Sequence, residues 1–213
     1  MEIEPKPTPS GVSAVPTRRR THASLFIVES VGFDDEQEGR LEGDILSQIL
    51  RLSGKQTEYR YIRTRQELEV VLNQFSASDL RYLHISCHGN EQALSTTLDD
   101  IPFIELGTLL RPHLQGRRLF VSACRAVNSE LANELMRKSG CFSIVGPATD
   151  IRFDDAAVIW AAFYHLMFRE NPKVMKAAAI EAALARLIGT FDVPMTYMRR
   201  TGEKPYWRQV DFR

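Results

Sequence analysis

Apolar runs and helical stripes alternate along most of this chain. Five runs read as strands: 24–30, 57–63, 80–86, 117–123 and 141–145. The second alternates apolar with polar residues, as a strand wet on one side does, and the first, third and fourth are apolar enough to be buried on both faces. Between them lie stripes with helical spacing. One holds Ile45, Leu46, Ile49, Leu50 and Leu52; another holds Leu68, Val71, Leu72 and Phe75; a third covers 129–138. Gly54 and Gly140 stop the first and third. Segment 32–39 is an acidic loop, 90–100 a polar loop with a short hairpin, and 104–110 a brief helix. Gly146-Pro147 ends the fifth run. Segment 154–168 is apolar almost all round and predicts a buried helix; 173–188 is an alanine-rich helix, and 207–212 an edge strand. Strand and helix repeated with short connections predict an α/β fold, a largely parallel central sheet with helices on both faces.

Composition narrows the picture. The chain has 213 residues, enough for one domain with a substantial core. Lys plus Arg and Asp plus Glu number 27 each, so no global field recruits nucleic acid or an anionic membrane. Segment 1–22 holds Pro5, Pro7, Pro9 and Pro16 and reads as a disordered tail; 23–213 is the folded domain. Arg18, Arg19 and Arg20 form the one basic cluster, most simply part of that solvated tail. The N-terminus lacks a signal-peptide core, and no apolar run approaches the ~20 residues of a membrane span. Three widely spaced cysteines are no disulfide framework, which points to a reducing, cytoplasmic location. With no CxxC, HExxH, GxGxxG or Walker-type loop, no metal and no organic cofactor is expected.

The chemistry lies where two of the predicted strands end. Leu80 to Ser86 delivers Cys87, His88 and Gly89; Leu119 to Val121 delivers Ser122, Ala123 and Cys124. Open α/β folds place their sites at that carboxyl edge. A thiol attacks a carbonyl only as thiolate, so it needs a base or a positive field. His88 is the base if the two strands are neighbours, about 5 Å apart. A helix starting near Asn128 would turn its positive end toward the sulfur. Gly89, without a side chain, would let substrate approach, and the N–H groups of Gly89 and Cys124 are the natural oxyanion donors. Cys87 and Cys141 read as core, and His84 as a satisfied core histidine. His84, Cys87 and His88 cannot readily share a metal, because residue 87 points away from the other two along a strand. Asp154 precedes an apolar helix and suits a cap.

Leu83-His84-Ile85-Ser86-Cys87-His88-Gly89 resembles the strand-His-Gly motif of caspase-like cysteine peptidases (clan CD). Leu119 to Arg125, LFVSACR, resembles their strand-Ala-Cys motif. His88 and Cys124 lie 36 residues apart, shorter than the ~50 of caspases, which is similar to the compact CHAT-domain branch. Ser143 to Pro147, Asp154 to Ala157 and Ala162 to Tyr164 resemble that branch's strand, substrate loop and aromatic helix. The resemblance covers roughly Leu25 to Ile188 and implies a caspase-like three-layer sandwich. It implies Cys124 as nucleophile, His88 as base and then acid, and Asp154, with Asp150 second, as the acid that holds a basic P1 side chain. It further implies a bacterial origin and work in defence or programmed death on a protein substrate. Three positions depart from the pattern: Ala148-Thr149-Asp150 where many CHAT proteins have a Trp, Ser122 where metacaspase-like members carry Asp, and a caspase-like Arg125.

Three functions fit these residues. The first is a cysteine endopeptidase acting on a protein or peptide. The second is a latent or inactive interaction module that depends on an activating protein partner. The third is a non-peptide thiol hydrolase or acyltransferase using the same pair.

Overall fold

The computed structural model of the protein describes residues 21–213. The tail expected over 1–22 thus lies almost wholly outside the described residues, as do Arg18, Arg19 and Arg20. His22, assigned to that tail, already belongs to the first strand, β1 (His22–Ser30).

Seven strands form the main sheet: β1, β2 (Glu58–Tyr61), β3 (Leu80–Gly89), β6 (Arg118–Ser122), β7 (Ser143–Pro147), β8 (Met195–Arg200) and β9 (Trp207–Phe212). Their order is β2-β1-β3-β6-β7-β8-β9. The first five run parallel; β8 and β9 are antiparallel additions at one edge. A small hairpin, β4 (Ala93–Ser95) and β5 (Asp100–Pro102), fills the expected polar loop and pairs β4 with the end of β3.

Side chains alternate across this sheet and divide the interior in two. Phe26, Val28, Leu83, Ile85, Leu119 and Val121 face α3 (Arg65–Ala77), α4 (Phe103–Leu110) and α5 (Ser129–Met136). Leu25, Ile27, Tyr82, Phe120 and Val145 face α2 (Glu42–Leu52), α6 (Phe153–Glu170) and α7 (Ala177–Phe191). The result is the expected three-layer arrangement. On the second face Phe120 touches Trp160, Phe163 and Tyr164, so these α6 aromatics are core, as their spacing predicts.

Four expectations change. The acidic loop 32–39 contains a short helix, α1 (Phe33–Gln37). The last helix starts at Ala177 rather than residue 173, because the Asn171 side chain accepts from the Lys173 and Val174 N–H groups and bends the chain there. Strand β8 was not anticipated. Cap position of α6 belongs to Arg152, which makes no side-chain cap, and Asp154 lies inside the first turn. There Asp154 still faces the positive end of the helix and accepts from the Asp155 N–H.

Candidate active site

Strands β3 and β6 are parallel neighbours, registered from Tyr82 opposite Arg118 to Ser86 opposite Ser122. His88 and Cys124 each follow that last pair by two residues, His88 still on β3 and Cys124 in the turn after β6. His88 meets Phe153 of α6 and Cys124 meets Ile151 just before it, so both lie toward the start of α6. The carboxyl edge of the sheet therefore joins the two residues that the motifs single out.

Each reactive group is held by a neighbour. His88 Nε2 lies 2.7 Å from Asp35 Oδ2, and Asp35 Oδ1 accepts from Arg40 at 2.8 Å. The carboxylate accepts, so Nε2 carries a proton, and Nδ1 is the nitrogen that could offer a lone pair. Burial pushes the Asp35 carboxyl up, but its hydrogen bonds to His88 and Arg40 outweigh that and leave it below the usual range. The ring also meets Phe153 edge to face, with centroids 5.5 Å apart. Cys124 Sγ accepts from the Ile151 N–H at 3.5 Å and faces the Ile151 carbonyl at 3.8 Å. Among the described residues, no hydrogen bond joins the His88 imidazole to the Cys124 thiol.

Asp35 is a site residue that the sequence reading did not isolate. It sits in a stretch of four acids, Asp34, Asp35, Glu36 and Glu38, that reads most simply as a solvated loop. Only its place after β1, on the site edge, carried a signal.

The turn after Cys124 is tightly specified. Arg125 takes φ 53°, a left-handed conformation costly for a side chain, and its guanidinium grips Asp150 at 2.8 and 3.0 Å. Asn128 caps α5, accepting from the Glu130 and Leu131 N–H groups, and donates to the Arg125 and Glu91 carbonyls. Helix α5 thus begins where the sequence predicts, and its cap is tied to the strained turn. Gly89 also meets a packing need. A Cβ there would lie 3.1 Å from Ala123 Cβ, 3.1 Å from Leu94 Cδ2 and 3.2 Å from the Ala93 carbonyl. The glycine lets β4 pack closely against the two strand ends.

The two candidate substrate acids separate. An open cavity of about 510 Å³ lies between the starts of α2 and α6, walled by Arg40, Leu41, Glu42, Arg152, Phe153 and Asp154. Phe153 links it to His88. Asp154 is in this cavity and is paired there with Arg152 at 2.9 Å; Asp150 is outside it, paired with Arg125. Cys87 packs against the core, where burial pushes its thiol up to about 12; Cys141 is fully buried. His84 is buried with Nδ1 2.9 Å from the Tyr164 hydroxyl, a core histidine as expected. Among the described residues no three His, Cys, Asp or Glu side chains are placed to hold a metal ion, and no helix is long and apolar enough to cross a membrane.

Several solved structures share this architecture. A secreted C11 cysteine protease from Bacteroides thetaiotaomicron, bound to an irreversible peptide inhibitor, matches with a TM-score of 0.55 over 84% of this chain, at 11% identity. Caspase-1 from Spodoptera frugiperda matches over 94% of this chain and 92% of its own, with a TM-score of 0.53 and 13% identity. The fold is that of the caspase-like cysteine proteases. The Arg-specific proteinase gingipain R matches as well, with a TM-score of 0.51 and 14% identity over 80% of this chain. The caspase-like core described here spans 66% of the C11 protease and 43% of gingipain R. No family profile and no curated protein matches the sequence.

Proposed function

We propose that this chain is a cysteine endopeptidase in which Cys124 is the nucleophile and His88 the base. The observation that carries the reading is that His88 and Cys124 each follow the last registered pair of two adjacent parallel strands, Ser86 and Ser122, by two residues, at the carboxyl edge of a caspase-like fold. His88 Nδ1, left basic by the bond from Nε2 to Asp35, takes the thiol proton. The thiolate adds to the scissile carbonyl carbon, and the N–H groups of Gly89 and Cys124 stabilise the oxyanion. The C–N bond breaks, the imidazolium protonates the leaving amine, and a thioester remains. Water deprotonated by His88 then releases the acid and frees the thiol.

The cavity beside His88 receives the P1 side chain, and Asp154 gives it a preference for Lys or Arg; a basic side chain there exchanges places with Arg152. Asp150, held by Arg125, is the weaker candidate. The resemblance of the motifs supports the CHAT branch and work on a protein partner in bacterial defence or programmed death, and the cysteine usage supports a cytoplasmic location. A second reading has its own observation. Ile151 holds the thiol, so activation by a partner protein that moves 148–152 would release Cys124 toward His88.

The test is labelling with iodoacetamide and with Lys- or Arg-directed peptidyl electrophiles, read by mass spectrometry. The peptidase reading expects fast labelling of Cys124 that falls in His88→Ala, and a peptidyl preference that falls in Asp154→Asn. If Cys124 reacts no faster than Cys87 and His88→Ala changes nothing, the endopeptidase reading fails for the isolated chain. Labelling that recovers only with a partner present supports the second reading.

A further inference from the structure

Two serines stand one step below the reacting pair. Ser86 is two residues before His88 on β3, and Ser122 two residues before Cys124 on β6. They face each other as the last registered pair of the β3–β6 ladder. Beyond them, no further rung of that ladder fixes one strand end against the other. Both side chains are buried, and both donate to the same oxygen, Glu42 Oε2, at 2.8 and 2.6 Å. Glu42 is the first residue of α2 and only 3% exposed.

The same carboxylate lies close to the ring that joins β3 to α6, without a hydrogen bond to it. Its Oε1 lies 3.3 Å from His84 Nε2, and His84 reaches Tyr164 through Nδ1. On the other side Glu29 of β1 accepts from the Gly43 and Asp44 N–H groups, which fixes the first turn of α2 over the sheet. Three adjacent parallel strands are thereby fastened to one helix start, directly beneath the candidate dyad. Burying a carboxylate is costly, and apolar side chains of similar volume often fill such sites without loss of stability. The fold alone therefore gives no reason for Glu42.

We infer that Glu42 is a positioning residue: through Ser86 and Ser122 it clamps β3 to β6 at their last rung and so sets the separation of His88 and Cys124. The inference rests on the peptidase reading, and Glu42 itself touches none of the reacting atoms. A clamp needs both arms. Losing either hydroxyl frees the strand ends, and losing the second adds little.

The experiment uses the whole chain as Ser86→Ala, Ser122→Ala and the double variant, which lose one hydroxyl each and keep the apolar packing. Amide hydrogen exchange is followed at 87–89 and 123–125, with Cys124 alkylation and, where peptide is cleaved, kcat and KM. Each single variant should speed exchange at both strand ends and lower alkylation and kcat roughly tenfold, a fraction of the ~10²-fold that an ångström of misplacement costs. KM should hold. The double variant should be no slower than the worse single one, while losses in melting temperature add. Glu42→Gln, which keeps an acceptor for both hydroxyls, should retain more reactivity than Glu42→Leu. Unchanged exchange in both single variants overturns the clamp, as does a rate loss that multiplies in the double variant. If His88→Ala leaves wild-type Cys124 reactivity unchanged, the peptidase reading falls instead, and exchange at the strand ends still decides whether the clamp exists.

Discussion

Asp35 gives the imidazole of His88 a single proton position, and that decides which nitrogen can work as a base. General-base catalysis contributes about 10²–10⁴-fold, so His88→Ala should lower kcat by that order, while Asp35→Asn, which leaves the ring in place, should lower it about tenfold. Steady-state kinetics on a peptide substrate checks both. The two candidate residues stood out in the sequence because each follows an apolar run beside a small residue, Gly89 or Ala123. Asp35 was not, because four neighbouring acids offer the same chemistry and only the folded chain brings one of them to 2.7 Å from the ring. Asp154 was legible as an acid at the start of α6, but its role as cap was not borne out. The helix begins one residue earlier, and Arg152 takes the capping position.

At the scale of elements, the end of β3 and the start of α5 are the two places where the site depends on local packing. Gly89→Ala would press a methyl group against Ala123, Leu94 and the Ala93 carbonyl, each at 3.1–3.2 Å. Overpacking of this kind costs about 1–3 kcal/mol, and we expect a matching fall in melting temperature. Activity should fall further than stability, because Ala123 adjoins Cys124. Asn128→Ala removes the cap of α5 and the bond that steadies the Arg125 turn; loss of such a cap costs about 1 kcal/mol, measurable by denaturant unfolding. Most strands were legible from their apolar runs, and the edge strand over 207–212 fell where expected. Strand β8 was hidden. Met195, Thr196, Tyr197 and Met198 are all buried, so it lacks alternation, and it is only six residues long. What makes it a strand is the open edge of β7, which no local pattern reveals.

For the whole molecule, the clearest pH dependence comes from Glu29. Burial raises its carboxyl to about 7, with Glu42 adding and the Gly43, Asp44 and Tyr59 hydrogen bonds opposing. The folded chain therefore takes up a proton at a pH where the unfolded chain does not. This contribution is fully present below the ordinary carboxylate range and is lost as pH rises through about 7. The melting temperature should rise as pH falls from about 8 to about 5.5, and Glu29→Gln should flatten that rise. Asp35 acts in the opposite sense at lower pH. Its carboxyl lies below 3.8, so its stabilisation is lost only as strong acid protonates it.

The sheet has one apolar face and one in which buried polar side chains are mixed with apolar ones. Against α3, α4 and α5 the strands present mostly apolar side chains; against α2 and α6 they present Glu29, His84, Ser86 and Ser122 as well, all buried. Heritable variation should respect that asymmetry. In a saturation library sorted separately for abundance and for turnover, changes at Leu83, Ile85, Leu119 and Val121 should deplete both sorts in proportion. Changes at Ser86 and Ser122 should leave many abundant but idle proteins. One side of the same sheet would then be free to drift wherever packing allows, while the other would be held to the few side chains that keep the strand ends in place.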